Sequence, residues 1–169
     1  MEIRHARTDR RRHHEPVSVH KRLVPWDSAP TILLVEDDED MREMLAAVLR
    51  RDGYYVVEAE DGDSAVDWLG IGILDGEPER LPSLIVSDIR LPYLSGLEIL
   101  EGAHLSAWRL PVILITGFGD DYTHERAREL GAECVLDKPF SMQVLRAAIR
   151  SALRNRLRRP VSERDGHVL

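Results

Sequence analysis

Short apolar runs alternate with longer amphipathic segments along most of the chain. Five runs are predicted to be strands, and they read TILLV (31–35), YYVVEA (54–59), SLIVSD (83–88), PVILIT (111–116) and ECVLD (133–137). Helical spacing of apolar residues predicts helices over 41–51, 61–69, 95–105, 120–131 and 141–159. The stretch between the second helix and the third strand, 70–82, is rich in Gly, Pro and acids and is predicted to be a loop.

This alternation predicts the fold class. Strands that read as continuous apolar runs are expected to be buried on both faces, as in a parallel sheet covered by helices on each side. We therefore expect an α/β fold of five βα units around a doubly wound, five-stranded parallel sheet. In such a sheet the binding crevice lies beyond the carboxyl ends of the strands.

Polar residues follow the predicted strands at that edge. They are Glu36, Asp37 and Asp38 after the first strand, Asp88 at the end of the third, Thr116 at the end of the fourth and Lys138 after the fifth. Clustered carboxylates repel one another unless a cation joins them, and oxygen ligands at a partly open site suit Mg²⁺. A phosphoryl group on Asp88 would be neutralised by the metal and Lys138, with Thr116 as a hydrogen-bond donor.

Most of these residues also have a purely structural interpretation. Asp88 could simply cap a strand end, and Thr116 could be an ordinary strand threonine. Lys138 could pair with Asp37 in the absence of phosphate. Asp37 and Asp38 could both be capping acids of the first helical turn. We expect Asp38 to be one, while Glu36 and Asp37 bind metal.

The charge distribution divides the chain into three parts. The net charge of −7 is the sum of +3 over 1–29, −14 over 30–149 and +4 over 150–169. We expect a flexible basic N-terminal arm over 1–29, a folded domain over 30–154 and a basic C-terminal tail over 155–169. A domain with this negative charge is not expected to bind nucleic acid.

The composition also bears on the compartment. No stretch approaches the roughly 20 apolar residues of a membrane span, and the Arg-rich N-terminus lacks the apolar core of a secretory signal. The single cysteine, Cys134, excludes an internal disulfide and is expected to be an inert core residue. We expect a cytoplasmic protein.

Four segments together resemble the receiver domains of two-component response regulators. They read ILLVEDDEDMREML, LIVSDIRLPYLSGLEIL, VILITG and GAECVLDKPF, and the resemblance covers roughly residues 30–154. It implies a flavodoxin-like receiver fold in a bacterial signalling protein, with Mg²⁺ as the cofactor. In the family, an aspartate at the end of the third strand takes a phosphoryl group from a kinase phosphohistidine, and Asp88 holds that position.

The resemblance assigns further roles by position. The implied site consists of the metal ligands Glu36, Asp37, Asp88 and the backbone carbonyl of Arg90, with Thr116 and Lys138 as the family's hydroxyl and lysine. Pro139 matches a proline whose preceding peptide bond is usually cis. The family usually has Tyr or Phe three residues before the lysine, where this chain has Val135. An aromatic ring there rotates inward as the hydroxyl moves, and Val135 cannot make that rotation.

The favoured interpretation is a stand-alone phosphoacceptor switch that signals by protein contact or phosphorelay. Only 31 residues follow Lys138, fewer than the roughly 50 that a second domain needs. The expected partners are a histidine kinase or histidine phosphotransfer protein and an unknown downstream protein. We also expect a weak homodimer through the last two helices and the fifth strand. The chain would catalyse only its own phosphorylation and dephosphorylation.

Two alternatives differ in class. A degenerate receiver would bind proteins independently of phosphate, which Val135 and the basic tails favour slightly. A hydrolase with a phosphoaspartate intermediate would need a general acid or base soon after Asp88. Ile89 and Arg90 do not supply one.

Overall fold

The described strands form a parallel sheet with helices packed on both of its faces. The computed structural model describes residues 29–74, 81–105 and 109–158. Its elements are β1 (Thr31–Val35), α1 (Glu39–Arg51), β2 (Tyr55–Ala59), α2 (Gly62–Leu74), β3 (Leu84–Asp88), α3 (Gly96–Leu105), β4 (Val112–Thr116), α4 (Asp121–Glu129), β5 (Cys134–Asp137) and α5 (Met142–Arg158). The strand order is β2-β1-β3-β4-β5, and all neighbours are parallel. The predicted doubly wound α/β fold is confirmed.

The core is made by the three central strands, β1, β3 and β4, in which every residue is buried. Alternate residues point to opposite faces of the sheet. Leu33 and Leu114 pack on the side of α2, α3 and α4, whereas Leu34 and Ile113 pack on the side of α1 and α5. Burial of each such side chain contributes about 1.5–3 kcal/mol to the stability of the fold. The middle of the sheet is therefore its most stably packed part.

The edge strands depart from the prediction of burial on both faces. In β2 only Val56 and Ala59 are buried, and in β5 the apolar residues Cys134, Val135 and Leu136 are only half-buried. An edge strand has a neighbour on one side only, so its outer flank stays open. Cys134 is thus a half-buried residue at the margin of the core, and burial raises the pKa of its thiol, which suits an unreactive side chain.

Several helix boundaries differ from the sequence prediction by one or two residues, and the end of α2 differs by more. α1 begins at Glu39 rather than 41, because the Asp38 carboxylate caps it by accepting a 2.8 Å hydrogen bond from the Met41 N–H. α2 continues to Leu74, so the predicted loop over 70–82 is wrong for its first residues. A glycine inside a helix costs only about 1 kcal/mol, and the apolar residues after Gly70 continue the helical pattern.

The two predicted tails lie almost entirely outside the described residues, which begin at 29 and end at 158. At the C-terminal side α5 continues to Arg158, so the domain boundary predicted at 154 falls inside this helix. Within the described part of the chain, no helix is long and apolar enough to cross a membrane.

The strand order places the site. From β1 the chain proceeds to one edge of the sheet through β2, and from β3 it proceeds to the other edge through β4 and β5. The carboxyl ends of β1 and β3 therefore flank the crevice where the direction of winding reverses. Glu36 follows β1 directly, and Asp88 is the last residue of β3.

Candidate functional site

The structure brings together three of the predicted metal ligands. Glu36 and Asp88 are buried, with 1% and 5% of their surface exposed, whereas Asp37 is exposed. One carboxylate oxygen from each of the three lies within 4.8 Å of those of the other two. Buried carboxylates this close need positive charge nearby, because isolated buried charge is costly.

Lys138 supplies part of that charge. Its Nζ lies 2.9 Å from Glu36 Oε2 and 2.5 Å from Asp88 Oδ2. Among the described residues it does not pair with Asp37, the partner considered for it from the sequence. Three carboxylates and one ammonium leave a formal charge of −2. An open cluster of hard oxygen ligands with this charge fits Mg²⁺.

The protonation of the pair follows from its surroundings. Burial raises the pKa of Glu36, and the hydrogen bond and charge of Lys138 offset this only in part. For Lys138, burial acts to lower the pKa, but the hydrogen bonds to Asp88 and Glu36 and the two carboxylate charges outweigh it, so the pKa is raised. Lys138 therefore remains a cation at neutral pH.

The Asp88 carboxylate is held in one orientation. Its Oδ1 accepts a 2.7 Å hydrogen bond from the Arg90 N–H, while Oδ2 faces Lys138. The backbone beneath it is also fixed, because the Ser87 hydroxyl donates to the Asp88 carbonyl at 2.9 Å. A Cβ added at Gly96 would overlap that same carbonyl. The start of α3 thus packs directly against the backbone of Asp88 in a way that only glycine allows.

Thr116 is buried at the end of β4 and is linked to both neighbouring loops. Its Oγ1 accepts a 3.1 Å hydrogen bond from the Phe118 N–H. Its carbonyl accepts a 2.7 Å hydrogen bond from the Lys138 N–H. The hydroxyl and the lysine that were predicted from separate motifs are therefore tied together through the backbone.

A cationic and aromatic pair covers the edge of the site. The Arg90 guanidinium carbon lies 4.1 Å from the centroid of the Phe118 ring, which is a cation–π contact. Phe118 is nonetheless 70% exposed. This contact joins the loop after β3 to the loop after β4. The predicted role of the Arg90 carbonyl as a metal ligand stays a prediction.

Two other features bear on the resemblance. The Lys138–Pro139 peptide bond is cis, as the resemblance implies. Val135 is half-buried and packs at the margin of the core on the side of α4. No bulky ring therefore occupies the position three residues before the lysine.

Sequence reasoning missed three residues that support the site. Arg42, on α1, donates a 2.8 Å hydrogen bond to the Glu36 carbonyl, while Ser87 and Gly96 hold the backbone at Asp88. Gly96 carried a signal, since a glycine near a helix start often marks a close backbone approach. Arg42 and Ser87 carried none, because neither differs from an ordinary helix or strand residue.

Comparison with known proteins agrees with this geometry. The family profile of the response regulator receiver domain matches residues 32–150. A curated relative, the phosphate regulon transcriptional regulatory protein PhoB of Klebsiella pneumoniae, is 38% identical over 128 residues, which are 75% of this chain and 52% of that protein. The chain thus spans about half the length of this relative.

Solved structures give the same result. A crystal structure of a response regulator from Chloroflexus aurantiacus is 30% identical, with a TM-score of 0.66 over 75% of this chain and 98% of that one. The BeF3-activated N-terminal receiver domain of Klebsiella pneumoniae RstA is 29% identical, with a TM-score of 0.63 over 73% of this chain and 98% of that one. This chain belongs to the response regulator receiver domain family of two-component systems.

Proposed function

We propose that this chain is a phosphoacceptor switch in which Asp88 takes a phosphoryl group from a histidine kinase or a histidine phosphotransfer protein. The observation that carries the proposal is the placement of Lys138, which contacts both Asp88 and Glu36 at the carboxyl edge of the sheet. A lysine in this position can pair with the Asp88 carboxylate before phosphorylation and with the attached phosphoryl group afterwards.

The transfer is a displacement at phosphorus. An oxygen of the Asp88 carboxylate attacks the phosphoryl group of the donor, a P–O bond forms, and the P–N bond to the donor histidine breaks with its electron pair left on nitrogen. Lys138 then binds a phosphoryl oxygen. The Thr116 hydroxyl gives up the hydrogen bond that it accepts from the Phe118 N–H and donates to another phosphoryl oxygen.

The metal in this proposal is Mg²⁺. Glu36, Asp37 and Asp88 would hold it, together with the Arg90 carbonyl. When bound, it supplies positive charge to the phosphoryl oxygens as charge develops during the transfer. Because the site without metal has a formal charge of −2, metal binding should also relieve repulsion among the carboxylates.

The output, location, catalytic scope and dimerisation of the chain are also proposals. We infer output by protein contact or phosphorelay, a cytoplasmic location, and no catalysis beyond the chain's own phosphorylation and dephosphorylation. A weak homodimer through α4, β5 and α5 would use the half-buried apolar residues of β5. Transcriptional regulation, which the name of the PhoB relative states, belongs to a protein of which this chain spans about half the length.

The test is chemical labelling of the full chain. Incubation with Mg²⁺ and a small phosphodonor should give an adduct that is stable in acid and labile in base, as an acyl phosphate is. Asp88→Asn should abolish it, and chelation of Mg²⁺ should reduce it strongly. Absence of any adduct in the wild type would favour the phosphate-independent receiver instead.

A further inference from the structure

A polar contact outside the site joins α4 to the end of β5. His124 Nε2 lies 2.9 Å from Asp137 Oδ1. The two side chains are 37% and 56% exposed, and a polar contact this exposed adds little to the free energy of folding. Asp137 directly precedes Lys138 of the proposed site. The contact therefore sits between the site and the open face formed by α4 and β5.

Gly119 lies against this pair. A Cβ added at Gly119 would overlap both Asp137 Oδ1 and His124 Nε2. Gly119 belongs to the segment 117–120, which connects Thr116 to α4. Any shift of this segment toward β5 must therefore displace the paired side chains.

Both ends of this arrangement are connected to Thr116. Its hydroxyl accepts from the Phe118 N–H, next to Gly119, and its carbonyl accepts from the Lys138 N–H, next to Asp137. In this state the Thr116 hydroxyl thus holds the segment that carries Gly119, and its carbonyl holds the strand end that carries Asp137. Val135, whose small side chain cannot act as a rotating ring, takes no part in either connection.

We propose that Gly119, His124 and Asp137, here called the α4 clasp, transmit phosphorylation of Asp88 to the α4–β5 face. The inference rests on the proposed function. As Thr116 turns toward the phosphoryl group, its hydrogen bond with the Phe118 N–H is lost and the segment 117–120 shifts. Gly119 then presses on the His124–Asp137 pair, the pair separates, and the first turn of α4 is released from β5.

The clasp lies at a surface that is accessible to a partner protein. An open groove of about 510 Å³ between α4 and β5 is lined by residues that include Asp121, His124, Glu125 and Val135. Release of His124 changes the shape of this groove at one end. The device is suited to switching because a weak, exposed contact opens without loss of the fold.

The variants separate the clasp from the chemistry. His124→Ala and Asp137→Ala remove one partner each, whereas Gly119→Ala should separate the pair by steric overlap with the ends of two side chains. Arg126→Ala is the matched control, since it removes an exposed ion pair with Glu129 on the same helix. Each full-length protein is labelled with a small phosphodonor, and amide hydrogen exchange of α4 is measured with and without Mg²⁺ and beryllofluoride.

We expect beryllofluoride to speed exchange in the first turn of wild-type α4 by about threefold or more. In His124→Ala and Asp137→Ala, exchange should already be fast without the analogue and respond little to it, while labelling of Asp88 persists. Gly119→Ala should show fast exchange without the analogue, and Arg126→Ala should behave as wild type.

The outcomes that overturn the clasp differ from those that overturn the proposed function. Two results refute the clasp alone, provided that Asp88 is labelled normally. In the first, amide exchange in wild-type α4 does not respond to beryllofluoride. In the second, α4 of the clasp variants responds to beryllofluoride as wild-type α4 does. Absence of labelling in the wild type refutes the proposed function. In that case unchanged α4 exchange in Gly119→Ala refutes the clasp as well, whereas faster exchange shows that the mechanical link exists.

Discussion

The carboxyl-edge site and the α4–β5 face are built in opposite ways. At the site, Glu36, Asp88 and Thr116 are almost fully buried, and each has a short polar contact. On the face, the His124–Asp137 pair and the ion pairs within α4 are all largely exposed. Buried charge must be paired to be tolerated, whereas exposed pairs can open at little cost. Under the proposed function, this difference assigns the chemistry to a rigid site and the signal to a loosely held surface.

The strand register allows this contrast to be measured between two neighbouring residues. Leu114 of β4 lies opposite Val135 of β5, but Leu114 is fully buried and Val135 only half-buried. We expect Leu114→Ala to lower the free energy of unfolding by about 2–5 kcal/mol. Val135→Ala should lower it by about 1 kcal/mol or less. Urea denaturation of the two variants measures both values, and equal losses would show that the face is as tightly packed as the core.

Metal binding should act on the site and not on the neighbouring helix cap. With Mg²⁺ at about 100 times its Kd, the wild type should gain about 2.7 kcal/mol in stability, and Asp37→Ala should lose most of that gain. Asp38→Ala is the control, because Asp38 caps α1 and its loss costs about 0.5–2 kcal/mol at any Mg²⁺ concentration. Thermal denaturation across a Mg²⁺ titration distinguishes them. A wild type whose melting temperature ignores Mg²⁺ would contradict the proposed metal site.

The Arg90–Phe118 contact should lengthen the life of the phosphoprotein. Arg90 lies two positions past Asp88, and Phe118 lies two positions past Thr116. In receiver domains the residues at these two positions flank the path of the water that attacks the phosphoryl group. Neither an arginine nor a phenylalanine side chain orients water well. Arg90→Asn combined with Phe118→Glu should shorten the half-life by about tenfold, which corresponds to ~1.4 kcal/mol in the barrier. The decay of the acyl phosphate is followed after removal of the phosphodonor. If the half-life stays unchanged, the contact does not shield the site.

The smallest expected effect concerns pH and the cap of α4. Asp120 accepts a 2.8 Å hydrogen bond from the Thr123 N–H, and hydrogen bonding to Thr123 lowers the pKa of its carboxyl below the usual 3.8. A lowered pKa means that the carboxylate stabilises the fold above about pH 3.8 and that this contribution is lost as the pH falls through the lowered value. Asp120→Asn keeps a capping group but does not titrate, so the stability difference from wild type should shrink at low pH. A difference that is constant from pH 7 to pH 3 would contradict this.

The sequence predicts the parts of the molecule that depend on strand order. Once five parallel strands are recognised, Asp88, Thr116 and Lys138 must meet at one edge, because the carboxyl ends of parallel strands lie together. The Asp38 cap is equally local, since it depends on residues three positions apart. These expectations agree with the structure for geometric reasons that do not depend on side-chain packing.

What the sequence does not predict depends on contacts between distant segments. The choice of Glu36 rather than Asp37 as the partner of Lys138 is a matter of side-chain direction across the crevice. The His124–Asp137 contact and the fit of Gly96 against Asp88 likewise join residues of different elements. The openness of β5 follows from its place at the edge of the sheet, which the apolar run of that strand does not reveal.

The central claim is that Asp88, among several nearby carboxylates, is the residue that receives the phosphoryl group. The direct test is to phosphorylate the full chain with Mg²⁺ and a small phosphodonor, reduce the acyl phosphate with borohydride, and locate the modified residue by peptide mass spectrometry. We predict reduction at Asp88 in the wild type, none in Asp88→Asn, and retained modification in Asp38→Ala. Modification at Asp37 or Asp38, or undiminished modification of Asp88→Asn, would contradict the account.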